Sequence, residues 1–329
     1  MNSLRKKMES ANINELLECI NKMNVAEQFA NSFIPSIQNI PSIQNIQPRK
    51  NSQVYSMRKF HNTIKAELIK RVSDYYSEYD NKNNKNKNTS LLDIAVGRGG
   101  DLMKWEAAGI TKVVGFDKSE ASIHSTDVTN PGAIARYKNS KVKVKVNYSV
   151  GDATDVKLKV SKNTFDFVSC QFALQYFFKS EQNLRNVLSL VSKSLKVGGY
   201  FYGTTLDGNK IKALLKGKTQ VTEKLFYIIK KKFSPKSPFG NEYVFNIKDT
   251  LYFDTMGDSS EYLVDFEVLN KYCLEYSLEP VYISFFNDNY IGKSNITPFE
   301  DINLFENLSP DEQLLSSLNS VFVYRKVKK

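Results

Sequence analysis

The chain is poor in cysteine, poor in acidic residues relative to basic ones, and without a long apolar run. Cys19, Cys170 and Cys273 are odd in number and lack metal-ligand spacing, so a reducing compartment is expected and neither thiol catalysis nor a metal site is. No stretch is long enough to span a bilayer, and no apolar signal core follows Met1, so the expectation is a soluble, intracellular protein without a membrane partner. Acids number 35 against 46 lysines and arginines, a net charge of +11. That balance favours an anionic partner, nucleic acid first, although excess lysine also serves solubility.

What is present is concentrated in Leu91-Leu92-Asp93-Ile94-Ala95-Val96-Gly97-Arg98-Gly99-Gly100-Asp101, an apolar strand running into a glycine-rich turn. The glycines let backbone approach a bound adenosine closely, and Asp101 stands where a helix N-cap would. A dinucleotide fold wants G-x-G-x-x-G with a pyrophosphate at the helix N-terminus, whereas here an acid occupies that place. A second strand, residues 112–116, ends in Asp117, which is placed to accept from ribose hydroxyls. The ligand these features favour is S-adenosylmethionine (SAM), which carries ribose but no phosphate.

Strands are read at 91–95, 112–116, 143–149, 165–170 and 199–205 with helices between them, the order of a doubly wound, mostly parallel α/β sheet. Leu184, Val187, Leu188, Val191 and Leu195 mark a helix stopped by Gly198-Gly199, and residues 57–76 form another with Phe60, Ile64, Leu68 and Val72 on its buried stripe. Residues 1–52 read as an amphipathic helix followed by an extended linker with a tandem hexapeptide, Pro35 to Ile40 and Pro41 to Ile46. That linker is either a tether or a docking segment for a partner. The main domain is placed at 53–329, with a distinct subregion at 206–262. Residues 209–238 hold nine lysines against one acid, Glu223. They suit either an RNA track or a solvated helix burying Leu225, Phe226 and Ile229. A β segment at 242–248 and a helix near 263–277 follow.

Several segments together resemble the messenger RNA cap guanine-N7 methyltransferase family of eukaryotes and large DNA viruses. They are Arg58 to Lys65, the glycine loop through Trp105, Gly151-Asp152, Cys170-Gln171-Phe172-Ala173-Leu174-Gln175-Tyr176, Gly198 to Thr205, Phe239-Gly240-Asn241, Glu261 to Val264, and Leu269-Asn270. The resemblance spans most of residues 55–329. It implies a Rossmann-like class I SAM-dependent methyltransferase with a seven-stranded sheet and a cap-binding insertion.

By the same resemblance Lys65 pairs with the methionyl carboxylate of SAM, Ala95 and Gly97 belong to its loop, Asp117 holds ribose and Asp152 meets the adenine amino group. Gln171 and Tyr176 line the methyl donor. His61, Asn62, Arg98, Lys104 and Arg136 face the cap and its triphosphate, Phe172 and Tyr176 form an apolar wall, Gln175 supplies a donor for guanine O6, and Glu261 accepts from guanine N1–H and the exocyclic amine. Read without the resemblance, Lys65 is a helix lysine, Asp152 a turn former, Phe172 a core residue and Glu261 a helix-start acid. Three positions depart from the family: Ala95 replaces the first loop glycine, Gln175 replaces a histidine, and the cap-facing aromatic near the C-terminus falls closest to Asn319.

Guanine N7 has a lone pair and no proton, so the implied in-line transfer needs no general base and no catalytic residue in that sense. The expected product is S-adenosyl-L-homocysteine and the expected partner is capped mRNA, with other capping-enzyme subunits engaged through residues 1–50. The nucleus is implied for a cellular member, the host cytoplasm or virion for a viral one. The competing reading is a degenerate methyltransferase fold serving as an RNA-binding or stimulatory subunit.

Overall fold

The computed structural model describes residues 52–80, 88–248, 260–282, 295–302 and 304–328. The helix, linker and hexapeptides expected in 1–50 lie outside them. The chain divides into two units, Met1–Tyr55 and Ser56–Lys329. The second holds both sheets.

In chain order the described strands are β1 (Thr89–Ile94), β2 (Ile110–Asp117), β3 (Lys145–Val150), β4 (Phe165–Gln171), β5 (Leu195–Leu206), β6 (Gln220–Thr222), β7 (Phe226–Lys232), β8 (Glu242–Ile247), β9 (Ser260–Tyr262), β10 (Leu278–Pro280), β11 (Ile296–Pro298) and β12 (Asn319–Lys326). The main sheet runs β10-β12-β5-β4-β1-β2-β3, with β11 also paired to β12. From β3 to β5 every pairing is parallel, and β12 then runs antiparallel to β5. All six residues of β1 are buried, as expected of a parallel strand covered on both faces. The chain order reverses beside β1, whose neighbours are β4 and β2, and ligands bind at the carboxyl ends of strands at such a switch point.

Nine described α-helices accompany the sheets: α1 (Tyr55–Tyr75), α2 (Leu102–Ala107), α3 (Glu120–His124), α4 (Ala133–Asn139), α5 (Leu174–Phe177), α6 (Glu181–Ser194), α7 (Gly208–Leu214), α8 (Phe266–Glu275) and α9 (Pro310–Ser317). Phe60, Ile64, Leu68 and Val72 of α1 are buried in one core cluster with Leu91, Trp105 and Phe167, each contributing roughly 1.5 to 3 kcal/mol. That anchoring fixes the rest of α1 over the carboxyl ends of the strands. On the other face Leu184, Val187, Leu188 and Val191 of α6 join Leu92, Val168 and Phe201.

Two expectations are corrected. The α6 helix ends at Ser194 and β5 begins at Leu195, so Gly198 and Gly199 fall inside a strand and do not stop a helix. Residues 226–232 are not helical. They form β7 of a second, antiparallel sheet ordered β6-β7-β8-β9, in which the alternation of buried Phe226 and Ile228 with half-buried Tyr227 and Ile229 follows the strand period of two.

Candidate functional site

The loop after β1 is built from left-handed backbone. Ala95, Gly97 and Gly99 have φ of 58°, 55° and 68°. At Gly97 a Cβ would meet nothing within 4 Å, so open space lies beside it, while at Gly99 it would strike the Tyr148 hydroxyl at 2.7 Å. Ala95 adopts a left-handed conformation that favours glycine, at a cost of roughly 1 to 2 kcal/mol. The loop is tied to β2 by Val96 N–H donating to Phe116 O at 3.0 Å and by Gly97 N–H donating to Asp117 Oδ2 at 2.9 Å. Asp117 Oδ1 accepts from Ser119 N–H at 2.9 Å. The carboxylate is therefore oriented by one backbone donor on each oxygen, with acceptor capacity left over for hydroxyls.

Asp152 stands at the end of the adjacent strand, joined to Asp117 through Gly151 N–H donating to Asp117 O at 2.9 Å. It is exposed, and its Oδ1 accepts from Thr154 N–H at 2.8 Å and Thr154 Oγ1 at 2.7 Å. The turn-forming role read for Asp152 is thus present through Oδ1.

Asp101 occupies the N-cap position of α2 without making a side-chain capping bond, which corrects the capping expectation. Its Oδ1 instead meets Lys65 Nζ at 2.7 Å and Lys104 Nζ at 2.9 Å. Burial works against the carboxylate, but the two ammonium groups overcome it and hold Asp101 well below the usual range. Lys104 is only 3% exposed and also donates to Gly100 O at 3.3 Å. Its ammonium is thus engaged inside the loop. Asp93, buried in β1, is pushed well above the usual carboxylate range by burial first and Asp101 second.

On the opposite wall, Gln171 at the end of β4 donates through Nε2 to Ser169 Oγ at 3.1 Å and accepts from Thr204 Oγ1 at 3.0 Å. The next residue, Phe172, is held at φ 54° by its N–H donating to Thr204 O at 2.8 Å. A phenylalanine in that region is strained by about 1 to 3 kcal/mol, which commonly marks a functional turn. The His61 ring of α1 stacks on Phe172 with centroids 5.6 Å apart and meets Phe299 edge-on at 5.1 Å. Its Nε2 lies 3.0 Å from Ser316 Oγ. Burial, then Lys65, lowers the imidazole to about 3, so the ring is neutral. Asn62 is half-buried beside it on α1.

Gln175 is buried in α5, donating through Nε2 to Phe172 O at 2.9 Å and accepting from Thr205 Oγ1 at 3.1 Å. One N–H of its amide braces Phe172, and the side chain also lies against Glu261. Tyr176, half-buried, donates to Glu261 Oε1 at 3.4 Å. Glu261 lies on β9 and not at a helix start, opposite Tyr243 of β8 in the ladder. It is 6% exposed. Its Oε2 has no hydrogen-bond partner among the described residues, although Gln175, Tyr243 and Tyr176 lie near enough to oppose burial, which pushes the carboxyl up to about 7.

Arg98 and Arg136 converge on one loop: Arg98 Nη1 donates to Asn130 O and Arg136 Nε to Pro131 O at 3.1 Å. Asn319 is buried and donates to Leu315 O and Ser316 O, so it stands in for no aromatic. Sequence reasoning missed Lys118, whose Nζ lies 5.7 Å from the Tyr176 ring centroid, and Thr204, Thr205, Tyr243 and Phe299. Only Thr204 and Thr205 lay within a segment that was singled out.

A family model for the mRNA (guanine-N(7))-methyltransferase domain matches residues 23–321. The chain is 33% identical over 249 residues to mRNA cap guanine-N(7) methyltransferase 1 of Arabidopsis thaliana, covering 72% of this chain and 62% of that one. It is 30% identical over 270 residues to the mRNA cap guanine-N(7) methyltransferase of Schizosaccharomyces pombe, covering 79% and 69%. It thus spans about two thirds of the length of these relatives. Among solved structures, a putative S-adenosylmethionine dependent methyltransferase from Listeria monocytogenes aligns with a TM-score of 0.51 at 16% identity, over 83% of this chain and all of that one. This shows a shared fold.

Proposed function

The chain belongs to the mRNA cap guanine-N7 methyltransferase family, and from that premise we propose that it transfers the methyl group of SAM to N7 of the guanine that caps RNA 5′ ends. The observation that carries the reading is Glu261, a buried carboxylate with one oxygen unpartnered. Burying an acceptor without a partner is costly, and the cost is offset when a ligand donates to it. Guanine presents N1–H and an exocyclic amine side by side, which matches a carboxylate; adenine presents an acceptor at N1 and leaves Oε2 unsatisfied.

The loop fits SAM on its own geometry, with open space at Gly97 and an oriented Asp117 for ribose. Bound SAM supplies an electrophilic methyl on a sulfonium. The protein's contribution is placement: Glu261 and Tyr176 fix the base, Phe172 and His61 supply an apolar wall, and Asp117, Asp152, Lys65 and Gln171 fix the donor. Holding N7, carbon and sulfur collinear supplies much of the rate enhancement. N7 carries no proton, so a neutral His61 and a carboxylate that only accepts are sufficient.

A series of caps tests this reading. GpppA should be methylated well, inosine in place of guanine should cost roughly tenfold in kcat/KM because one donor to Glu261 is lost, and ApppA should be inert. Equal turnover of the inosine and guanine caps in the wild type would remove Glu261 from the base. The alternative, a non-catalytic RNA-binding or stimulatory subunit, is favoured by the strained Ala95. It requires that no cap be methylated while capped RNA still binds.

A further inference from the structure

We propose that Lys104 is a positioning residue for the cofactor: by sharing Asp101, it leaves the charge of Lys65 uncancelled for a carboxylate at the amino-acid end of the cofactor. This rests on the reading that the loop binds SAM.

Charge is out of balance in this buried place. Lys65 and Lys104 approach the same oxygen of Asp101, at 2.7 and 2.9 Å, and their side chains are 15% and 2% exposed. A single Lys–Asp pair is neutral and offers an incoming anion little net attraction. With a second lysine on the same oxygen the group carries one net positive charge. Asp93 does not cancel it, because burial and the neighbouring Asp101 favour its protonated form. A net charge removed from water is costly unless paired, and the least buried member of the trio is Lys65, on the helix that overlies the loop. The site is therefore charged for an anion, and the ammonium that can reach one is Lys65. Lys104, with its ammonium on Asp101 and the Gly100 carbonyl, acts through its neighbour and not by contact.

Calorimetry with two ligands tests this. S-adenosylhomocysteine carries the amino-acid carboxylate; 5′-methylthioadenosine keeps the nucleoside and lacks it. Lys104→Gln should weaken the first about tenfold, the scale of a lost charge-assisted contact, and leave the second within about twofold. Adding Asp101→Asn to Lys104→Gln frees Lys65 again and should restore most of the lost affinity. Equal weakening of both ligands, no effect on either, or a double variant weaker than the single overturns the proposal. Should Lys104→Gln fail to fold, Lys104→Arg decides: it keeps the charge and should bind S-adenosylhomocysteine as the wild type does, and a folded Arg variant that has lost that binding contradicts the proposal. A wild type that binds neither ligand overturns the cofactor reading, and this one with it.

Discussion

At the scale of single residues, the proposed reading of guanine by Glu261 makes recognition depend on pH. Burial pushes its carboxyl from an ordinary 4.5 up to about 7, and only the charged form accepts both guanine donors. The KM for GpppA should therefore fall as pH rises from about 6 to 8, and Glu261→Gln should abolish that dependence while sparing SAM affinity. Stability carries the opposite sign. A carboxyl with a raised folded pKa stabilises the fold below its unfolded pKa and loses that contribution as pH rises through about 7. A flat KM profile in the wild type would contradict the assignment. Asp117→Ala should weaken SAM by about 1 to 3 kcal/mol, the scale of a lost charge-assisted hydrogen bond, and should also lower stability because Gly97 N–H and Ser119 N–H lose their acceptor; calorimetry checks both. Ala95→Gly should stabilise the ligand-free fold by about 0.5 to 1 kcal/mol, since relief of left-handed strain exceeds the added chain entropy of glycine. Thermal unfolding reads that shift. The sequence flagged Ala95 and Asp117 because glycine patterns and strand ends are local signals. The bracing of Phe172 by Gln175 was not legible, because an amide's partners depend on side-chain orientation within a turn.

At the scale of elements, strands β1, β2 and β4 were readable because continuous apolar runs and short turns mark parallel strands. The lysine-rich stretch misled: Leu225 to Ile229 suits a helix face as well as a strand, and only pairing with β8 decides. The contact of Tyr243 with Glu261 depends on cross-strand register, which no local pattern encodes. Lys230, Lys231 and Lys232 lie exposed on β7, and Lys230 covers the Phe233 ring at 5.1 Å. If RNA beyond the cap crosses this strand, replacing the three by alanine should raise KM for a capped oligonucleotide, with a steep salt dependence, and spare a bare dinucleotide cap. Equal effects on both substrates would leave them a solvated face.

At the scale of the whole molecule, the carboxyl ends of β1, β2, β3 and β4 gather the cofactor side, while β9 of the second sheet brings Glu261 to α5. On the proposed function, the carboxylate that reads guanine comes from the antiparallel sheet and the methyl-donor site from the parallel one. The most direct measurement is incubation with SAM labelled in its methyl group and GpppA, followed by digestion and identification of the labelled atom. The account requires label on N7 of the cap guanine alone; label on a ribose hydroxyl or on adenine, or no transfer, would contradict it.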